Sequence, residues 1–234
     1  MRTRNKKAEQ FEAKQKHYEQ LRAKRRSESL FERSAPGLSK KPTILIVCEG
    51  ENTEPSYFNH FRLSSSTIKS VGEGYNTISL VNRALQLMEE HEYEYVWCVF
   101  DKDDFDDNDF NNAISLAEAN NIGVAYSNQA FEYWIILHFD DHQGGGMSRR
   151  DYDEKINKLL QPYNVTYDGL RSKKITEEIF AVLNGTDEKT KETRVDLAIK
   201  RAERNYDQFD HTNLASEESS TTVFRLVKDL QKYI

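Results

Sequence analysis

The hydrophobic pattern of the chain alternates short, continuous apolar runs with longer segments in which apolar residues recur every three or four positions. Continuous runs of β-branched and aromatic residues are typical of strands buried on both faces, whereas the longer spacing is typical of helices packed on one side. The predicted strands are 43–48, 67–71, 95–100 and 123–126, and the predicted helices that follow them are 54–63, 77–90, 108–120 and 129–139. This alternation predicts a parallel α/β sheet with right-handed crossovers.

The pattern changes after the glycine-rich segment Gln143–Gly146. Beyond it the sequence predicts little strand and four helices, at 151–160, 173–184, 189–208 and 219–233. At the other end, residues 1–33 favour helix and contain no Pro or Gly, and a breaker-rich linker follows them. We therefore predict a helical arm and linker at 1–39, an α/β core of about four strands at 40–142, and a helical extension packed on that core at 143–234.

Charge divides the chain into a basic arm and an acidic body. Residues 1–33 carry eleven Lys or Arg and five Asp or Glu, a balance of +6, whereas the remaining residues carry 22 basic and 34 acidic side chains, a balance of −12. A basic arm can contact nucleic-acid phosphates. Alternatively, it is a solvated helix that docks on the body or on a second copy through Phe11, Tyr18 and Leu21. The acidic body argues against a broad nucleic-acid-binding surface.

Composition is that of a protein without a membrane segment. The mean hydropathy is −0.81 and 31% of the residues are charged. No apolar run approaches the roughly 18 residues of a membrane span. The charged N-terminus lacks the apolar core of a secretion signal, and Cys48 and Cys98 lie in strand-like runs, where buried and reduced thiols are expected. We therefore expect a cytoplasmic protein.

The first predicted strand ends in an acidic turn. Gly50, which has no Cβ, lets the backbone turn, and Pro55 fits the first turn of a helix. In open α/β sheets, ligands bind at the carboxyl ends of the strands. Glu49 and Glu54 therefore lie where a site is expected.

The predicted strand at 95–100 ends in a second group of acids. Asp101 and Asp103 are alternate residues, so along an extended segment both side chains face the same way while Lys102 points elsewhere. Clustered carboxylates are costly unless a cation neutralises them, and carboxylate oxygens are ligands that Mg²⁺ and Mn²⁺ prefer. Together with Glu49 they predict such a metal site, and paired ions about 3.5–4 Å apart are a recurrent device for phosphodiester cleavage.

Other interpretations of these residues stay open. Acids after strands can simply cap the next helix, and this applies to Glu54 in particular. Glu132 opens a helix among aromatic residues, where a carboxylate is either paired or a further metal ligand. His138 is either a satisfied core histidine or a ligand. Haloacid-dehalogenase-like phosphatases also use Asp-x-Asp after a strand, but Phe105 stands where they need Thr or Val, and Glu49 would have no role.

Three segments resemble the RloB-like family, which has a Toprim-type catalytic core. They are Ile46–Glu54, Val99–Asp103 and Ser127–Trp134, and Ser220–Val223 resembles the start of the family's last helix. The resemblance covers about 40–234. It implies a Toprim-like parallel sheet flanked by helices, with a glutamate after the first strand that acts as general acid or base and an Asp-x-Asp after a later strand that binds Mg²⁺.

On the matching positions, the resemblance implies that Glu49, Asp101 and Asp103 are the catalytic residues. Glu54 matches a second acid in the turn of OLD-like Toprim nucleases. Glu132 is included because a carboxylate in apolar surroundings needs a partner. The predicted metal ligands are therefore Glu49, Glu54, Asp101, Asp103 and Glu132. The predicted cofactor is Mg²⁺ or Mn²⁺.

The predicted function is that of a Toprim-class endonuclease that cuts RNA or DNA as an anti-phage defence effector. OLD-like nucleases use a downstream lysine, for which Lys173 and Lys174 are candidates, and further substrate contacts are predicted at Arg149, Arg150 and Arg171. The alternative is a non-catalytic Toprim-like subunit that regulates or binds nucleic acid.

The resemblance also implies a partner. RloB-like proteins resemble components of bacterial defence systems that are encoded near an ABC-type ATPase or restriction genes. The sequence contains no Gly-x-x-x-x-Gly-Lys-Ser/Thr loop, so control by ATP would need a separate ABC-type ATPase. A homo-oligomer is also compatible with the sequence.

Overall fold

The computed structural model describes residues 42–63, 66–70, 77–103, 106–143, 145–147 and 149–234. The predicted N-terminal arm at 1–39 lies outside these ranges. The described residues contain five strands, β1 (Ile44–Cys48), β2 (Ser66–Ser70), β3 (Tyr95–Asp101), β4 (Gly123–Asn128) and β5 (Ser220–Thr221). They also contain eight α-helices, α1 (Thr53–Asn59), α2 (Thr77–Glu90), α3 (Asp107–Ala119), α4 (Glu132–Leu137), α5 (Arg149–Leu160), α6 (Glu177–Asn184), α7 (Arg194–Tyr206) and α8 (Val223–Gln231).

The five strands form one mostly parallel sheet in the order β2-β1-β3-β4-β5. The first four strands run parallel and β5 runs antiparallel at the edge beside β4. The predicted α/β fold, a parallel sheet flanked by helices, is confirmed and is consistent with a Toprim-like core. Because β1 and β3 are neighbours in register, their carboxyl ends lie side by side.

The sheet separates two hydrophobic cores, which explains why β1 is apolar throughout. Leu45 and Val47 face the core formed with α2 and α3, whereas Ile44, Ile46 and Cys48 face the core formed with α1, α4 and the C-terminal helices. Alternate residues of a strand point to opposite faces, and here both faces are covered. The C-terminal helices α5 to α8 thus share one continuous core with the sheet.

The C-terminal region is helical, as predicted, but it also adds the short edge strand β5. Its two residues pair with the last two residues of β4. Thr222 continues the contact, because its hydroxyl accepts a hydrogen bond from Tyr126 N–H at 2.9 Å and donates one to Val124 O at 3.1 Å. Two polar residues carry no alternating hydrophobic pattern, so the sequence could not indicate this strand.

Helices α6 and α7 begin a few residues later than predicted, at capping threonines. Thr176 Oγ1 accepts from Ile179 N–H, and Thr193 Oγ1 accepts from Asp196 N–H at 3.2 Å. A threonine at this position satisfies an N–H group that the first helical turn leaves unpaired. Apolar periodicity alone does not fix such boundaries.

Two further expectations concern the cysteines and the membrane. Cys48 and Cys98 are both free thiols in the interior, as predicted. Burial raises the pKa of Cys98 to about 12 and that of Cys48 well above its usual range, so both thiols stay protonated at neutral pH. Among the described residues, no helix has the length and apolar character needed to cross a membrane.

Candidate functional site

The candidate site lies at the adjoining carboxyl ends of β1 and β3. Directly after β1, Glu49 N–H donates to Val99 O at 2.9 Å and so continues the sheet contact for one residue. The side chain of Glu49 then folds over the end of β3, where its Oε2 accepts from Asp101 N–H at 3.2 Å. The two acids predicted to meet at this edge of the sheet are therefore in contact.

Glu54 lies in the first turn of α1 and packs against the backbone of Gly50. It is only 5% exposed. A Cβ on Gly50 would lie 2.8 Å from Glu54 Oε1 and closer still to Oε2, so a larger residue at this position would displace the Glu54 carboxylate. Burial, together with the negative charges of Glu132 and Glu49, raises the pKa of Glu54 from 4.5 to about 7, against the opposing effect of backbone N–H groups.

Asp101 is surrounded by the other acids of this site. Burial raises its pKa well above the usual value, and the charges of Glu54, Glu132 and Glu49 add to the effect in that order. Its Oδ1 is buried and has no hydrogen-bond partner among the described residues. We call these four side chains, Glu49, Glu54, Asp101 and Glu132, the acidic cluster.

Tyr167 joins the acidic cluster from the C-terminal region. The Tyr167 hydroxyl donates to Glu132 Oε1 at 2.8 Å. The phenolic oxygen of Tyr167 also lies 3.3 Å from Thr53 Oγ1. Tyr167 lies in the loop between α5 and α6, 35 residues from Glu132 and 114 residues from Thr53 in sequence. The sequence analysis missed this residue, since no local pattern distinguishes it from other core tyrosines.

Tyr152 on α5 is a second tyrosine near the acidic cluster that the sequence analysis missed. Its hydroxyl is buried and has no hydrogen-bond partner in the described part of the chain. Burial raises the pKa of this phenol, and the charges of Glu218, Asp101 and Glu132 raise it further. The backbone of Gln129 acts on the same phenol in the opposite direction, so Tyr152 interacts both with that backbone and with the acids of the cluster.

Asp103 does not lie on the extended path that the sequence analysis assumed. β3 ends at Asp101, and Asp103 adopts a left-handed conformation with φ 42°. Its N–H donates to Gln129 O at 3.1 Å, and Lys102 Nζ lies 3.1 Å from Asp107 Oδ1. Lys102 N–H still donates to Ser127 O at 2.9 Å, so the extended path ends at Asp103 itself, and the prediction that both aspartate side chains face the same way stays a prediction. The role of Asp103 as a metal ligand stays a prediction.

The predicted lysines lie in a loop that hydrogen bonds connect to the segment of α1. Lys173 and Lys174 precede Ile175, whose N–H donates to Ser56 Oγ at 2.8 Å and whose carbonyl accepts from His60 Nε2–H at 2.8 Å. Both partners belong to the segment that starts at the acidic turn and forms α1. These anchors hold the residue that follows the two lysines against the segment of α1, the helix that carries Glu54.

The remaining predicted positions lie at the start of α5 and directly after α4. Helix α5 begins at Arg149, and Arg150 is exposed in its first turn, with no described contact to the cluster. His138 is a core residue: it is fully buried, and its Nδ1–H donates to Trp134 O at 2.9 Å. Burial lowers its pKa to about 4, so the imidazole is neutral. Of the two interpretations of His138, the core histidine fits the structure.

The chemistry of the acidic cluster fits a hard divalent cation. The available ligands are carboxylate oxygens, which Mg²⁺ and Mn²⁺ prefer. One of them, the buried Asp101 Oδ1, accepts no hydrogen bond from the described residues. Within the described ranges, no three His, Cys, Asp or Glu side chains are yet arranged closely enough to hold an ion. Binding would therefore involve rotation of the carboxylates towards one another, with water completing the coordination.

The mostly parallel sheet and the acids at two neighbouring strand ends define an α/β protein with an acidic site at the carboxyl edge of its sheet. The sequence model of the family described as RloB-like protein matches residues 44–230. The chain therefore belongs to the RloB-like family, as the sequence motifs indicated. The match runs from β1 to α8 and so includes the loop that carries Tyr167. No curated protein and no solved structure matches the chain.

Proposed function

We propose that the protein is a Toprim-class endonuclease that uses Mg²⁺ or Mn²⁺ to cleave phosphodiester bonds of RNA or DNA. The observation that carries this proposal is the acidic cluster, in which Asp101 and Glu54 both have raised pKa values. Like charges held together in a buried position oppose folding unless a cation neutralises them. Such an arrangement at a strand end supports a binding function rather than helix capping.

The four acids have different surroundings, which supports different roles. Glu54 is buried, whereas Glu49 is partly exposed at the end of β1 and accepts a hydrogen bond from Asp101 N–H. We assign proton transfer to Glu49, since a general acid or base has to reach the substrate or a water molecule. Asp101, Glu132 and Glu54 would hold the metal, together with Asp103. A bound ion of this kind polarises the scissile phosphate and stabilises the leaving oxygen.

The loop of Lys173 and Lys174 supports a nucleic-acid substrate. Lys174 and Arg171 are exposed, and the loop is anchored to α1 beside the acidic cluster. Cations placed here would contact phosphates on either side of the scissile bond. Since the chain outside its arm carries a balance of −12, we propose a compact, selective site rather than a broad binding groove.

Membership of the RloB-like family also supports a role in bacterial anti-phage defence. We propose that a separate ABC-type ATPase controls the nuclease, since the sequence has no P-loop of its own.

The test is cleavage by purified protein of single-stranded RNA, transfer RNA and DNA, each with Mg²⁺, Mn²⁺ or EDTA. Asp101→Asn should lower metal-dependent cleavage by a factor on the order of 10² or more, because it removes an anionic ligand of the metal ion that would polarise the scissile phosphate. Glu89→Gln, which removes one exposed charge on α2, is the matched control and should cleave normally. Undiminished cleavage by Asp101→Asn would contradict the assignment.

The non-catalytic alternative draws support from one observation. The described acids are not yet in the arrangement of a bound ion. On that alternative, the protein binds a nucleic acid or a partner, and neither Mg²⁺ nor Mn²⁺ produces cleavage of any substrate. Metal-dependent cleavage that Asp101→Asn abolishes excludes it.

A further inference from the structure

Tyr167 connects the two sides of the acidic cluster through a directed chain of hydrogen bonds. Its side chain is 1% exposed, and its hydroxyl contacts both Glu132 Oε1 and Thr53 Oγ1. An ionised carboxylate only accepts hydrogen bonds, so the single phenolic proton goes to Glu132. Thr53 must then donate to the phenolic oxygen. The chain therefore runs from the start of α1, through Tyr167, to the start of α4.

Helix α5 holds the backbone of Tyr167 in place for this contact. The Asn157 side chain makes two hydrogen bonds to the backbone of Tyr167. Its Oδ1 accepts from Tyr167 N–H at 2.8 Å, and its Nδ2 donates to Tyr167 O at 2.9 Å. Two residues on, Gly169 N–H donates to Asp153 Oδ1 at 2.9 Å. A side chain whose backbone is fixed in this way loses little freedom when its hydroxyl binds Glu132.

Glu132 needs such a restraint because its neighbours repel it. It is partly exposed, and its charge acts on both Glu54 and Asp101. An unrestrained carboxylate in this position would lower its energy by rotating towards solvent. The hydrogen bond from the Tyr167 hydroxyl opposes that rotation.

We propose that Tyr167 is a positioning residue that holds Glu132 in the acidic cluster and thereby increases the affinity of the site for a divalent cation. This inference rests on the proposed function, because it assumes that the cluster binds metal. Groups that hydrogen-bond to metal-binding carboxylates typically contribute about 10–100-fold to affinity. The C-terminal region therefore supplies part of the site, rather than only covering the sheet.

The test is Mn²⁺ binding to the full chain by isothermal titration calorimetry. Tyr167→Phe should weaken binding by about tenfold, since it removes only the hydroxyl. Tyr57→Phe is the matched control, because it also removes one buried phenolic hydroxyl, which interacts with Trp134 rather than with an acid of the cluster, and it should bind as the wild type does. Thr53→Val, which removes the donor to Tyr167, should weaken binding by a smaller factor and serves if Tyr167→Phe does not fold.

Two readouts separate positioning from a general structural effect. In a Glu132→Gln background, Tyr167→Phe should cause no further loss of Mn²⁺ affinity, since the residue acts through Glu132. The electron paramagnetic resonance spectrum of bound Mn²⁺ should change in Tyr167→Phe as it does in Glu132→Gln, and it should not change in Tyr57→Phe.

The outcomes distinguish this inference from the proposed function. If the wild type binds Mn²⁺ and Tyr167→Phe binds it equally well, the positioning role is overturned and the metal site stands. An equal loss of affinity in the wild-type and Glu132→Gln backgrounds also overturns the role, because the effect would not pass through Glu132. If the wild type binds no Mn²⁺, the metal site itself is overturned, and the inference with it.

Discussion

The buried carboxylate of Glu54 opposes folding at neutral pH. Because burial raises its pKa from 4.5 to about 7, the folded protein retains a proton that the unfolded chain releases between these values. Stability therefore falls as the pH rises through this range and stays reduced above it. We expect Glu54→Gln to increase the free energy of unfolding by roughly 1–3 kcal/mol at pH 8, measured by urea unfolding in EDTA.

The same substitution should have no stabilising effect at pH 4, where Glu54 is neutral in both the folded and the unfolded protein. Glu89→Gln, on the exposed face of α2, controls for the change in net charge and should leave stability within about 0.5 kcal/mol of the wild type. A Glu54→Gln protein that is less stable than the wild type at pH 8 would show that the charge is already compensated within the fold.

Among single residues, sequence patterns predicted the acids that directly follow a strand. They did not predict residues that reach the site from a distant part of the sequence. Glu49 and Asp101 meet because neighbouring parallel strands end at the same edge, which sequence patterns can predict. The backbone of Asp103 is left-handed, so the extended path of β3 does not continue through this residue. Tyr167 reaches Thr53 across 114 residues, and no local periodicity encodes such a contact.

At the level of elements, the β4 edge of the sheet is stabilised by the side chain of Thr222, which lies between β5 and α8. The Thr222 hydroxyl bonds to Tyr126 N–H and Val124 O, both of them buried. We expect Thr222→Val to lower the free energy of unfolding by about 1–3 kcal/mol, because it leaves a buried N–H without a partner while it preserves side-chain shape. Urea unfolding measures this change.

Ser115→Ala provides the comparison for Thr222→Val. The Ser115 hydroxyl donates to Asn111 O on the exposed face of α3, where water can replace the lost bond. It should change stability by less than about 0.5 kcal/mol. Equal effects of the two substitutions would mean that the contacts between Thr222 and β4 contribute little.

Elements with strong periodicity were predictable, and short or polar ones were not. β1 and β3 are continuous apolar runs with both faces covered, so the hydrophobic pattern identifies them. β5 consists of a serine and a threonine whose pairing is specified by tertiary contacts. Helix starts at Thr176 and Thr193 depend on single side-chain caps, which shift a boundary without changing the hydrophobic pattern.

In the whole molecule, the acidic cluster and the C-terminal helices are parts of one packed structure. Helices α5 to α8 share a core with β1, and Tyr167 carries the contact into the site. Binding of a cation at the acidic cluster should therefore stabilise the whole described body, from β1 to α8, rather than the strand ends alone. This follows because a ligand that binds only the folded state raises the free energy of unfolding.

We expect Mn²⁺ at a concentration about 100-fold above its dissociation constant to stabilise the protein by about 2.7 kcal/mol at pH 8, a rise in Tm of about 5–10 °C. The rise should be much smaller at pH 5. Burial and neighbouring charges raise the pKa of Glu54 to about 7, so at pH 5 protons compete with the cation for the site. Scanning calorimetry with Mn²⁺ or EDTA measures both values. An equal rise at both pH values, or an undiminished rise in Asp101→Asn, would place Mn²⁺ binding outside the acidic cluster.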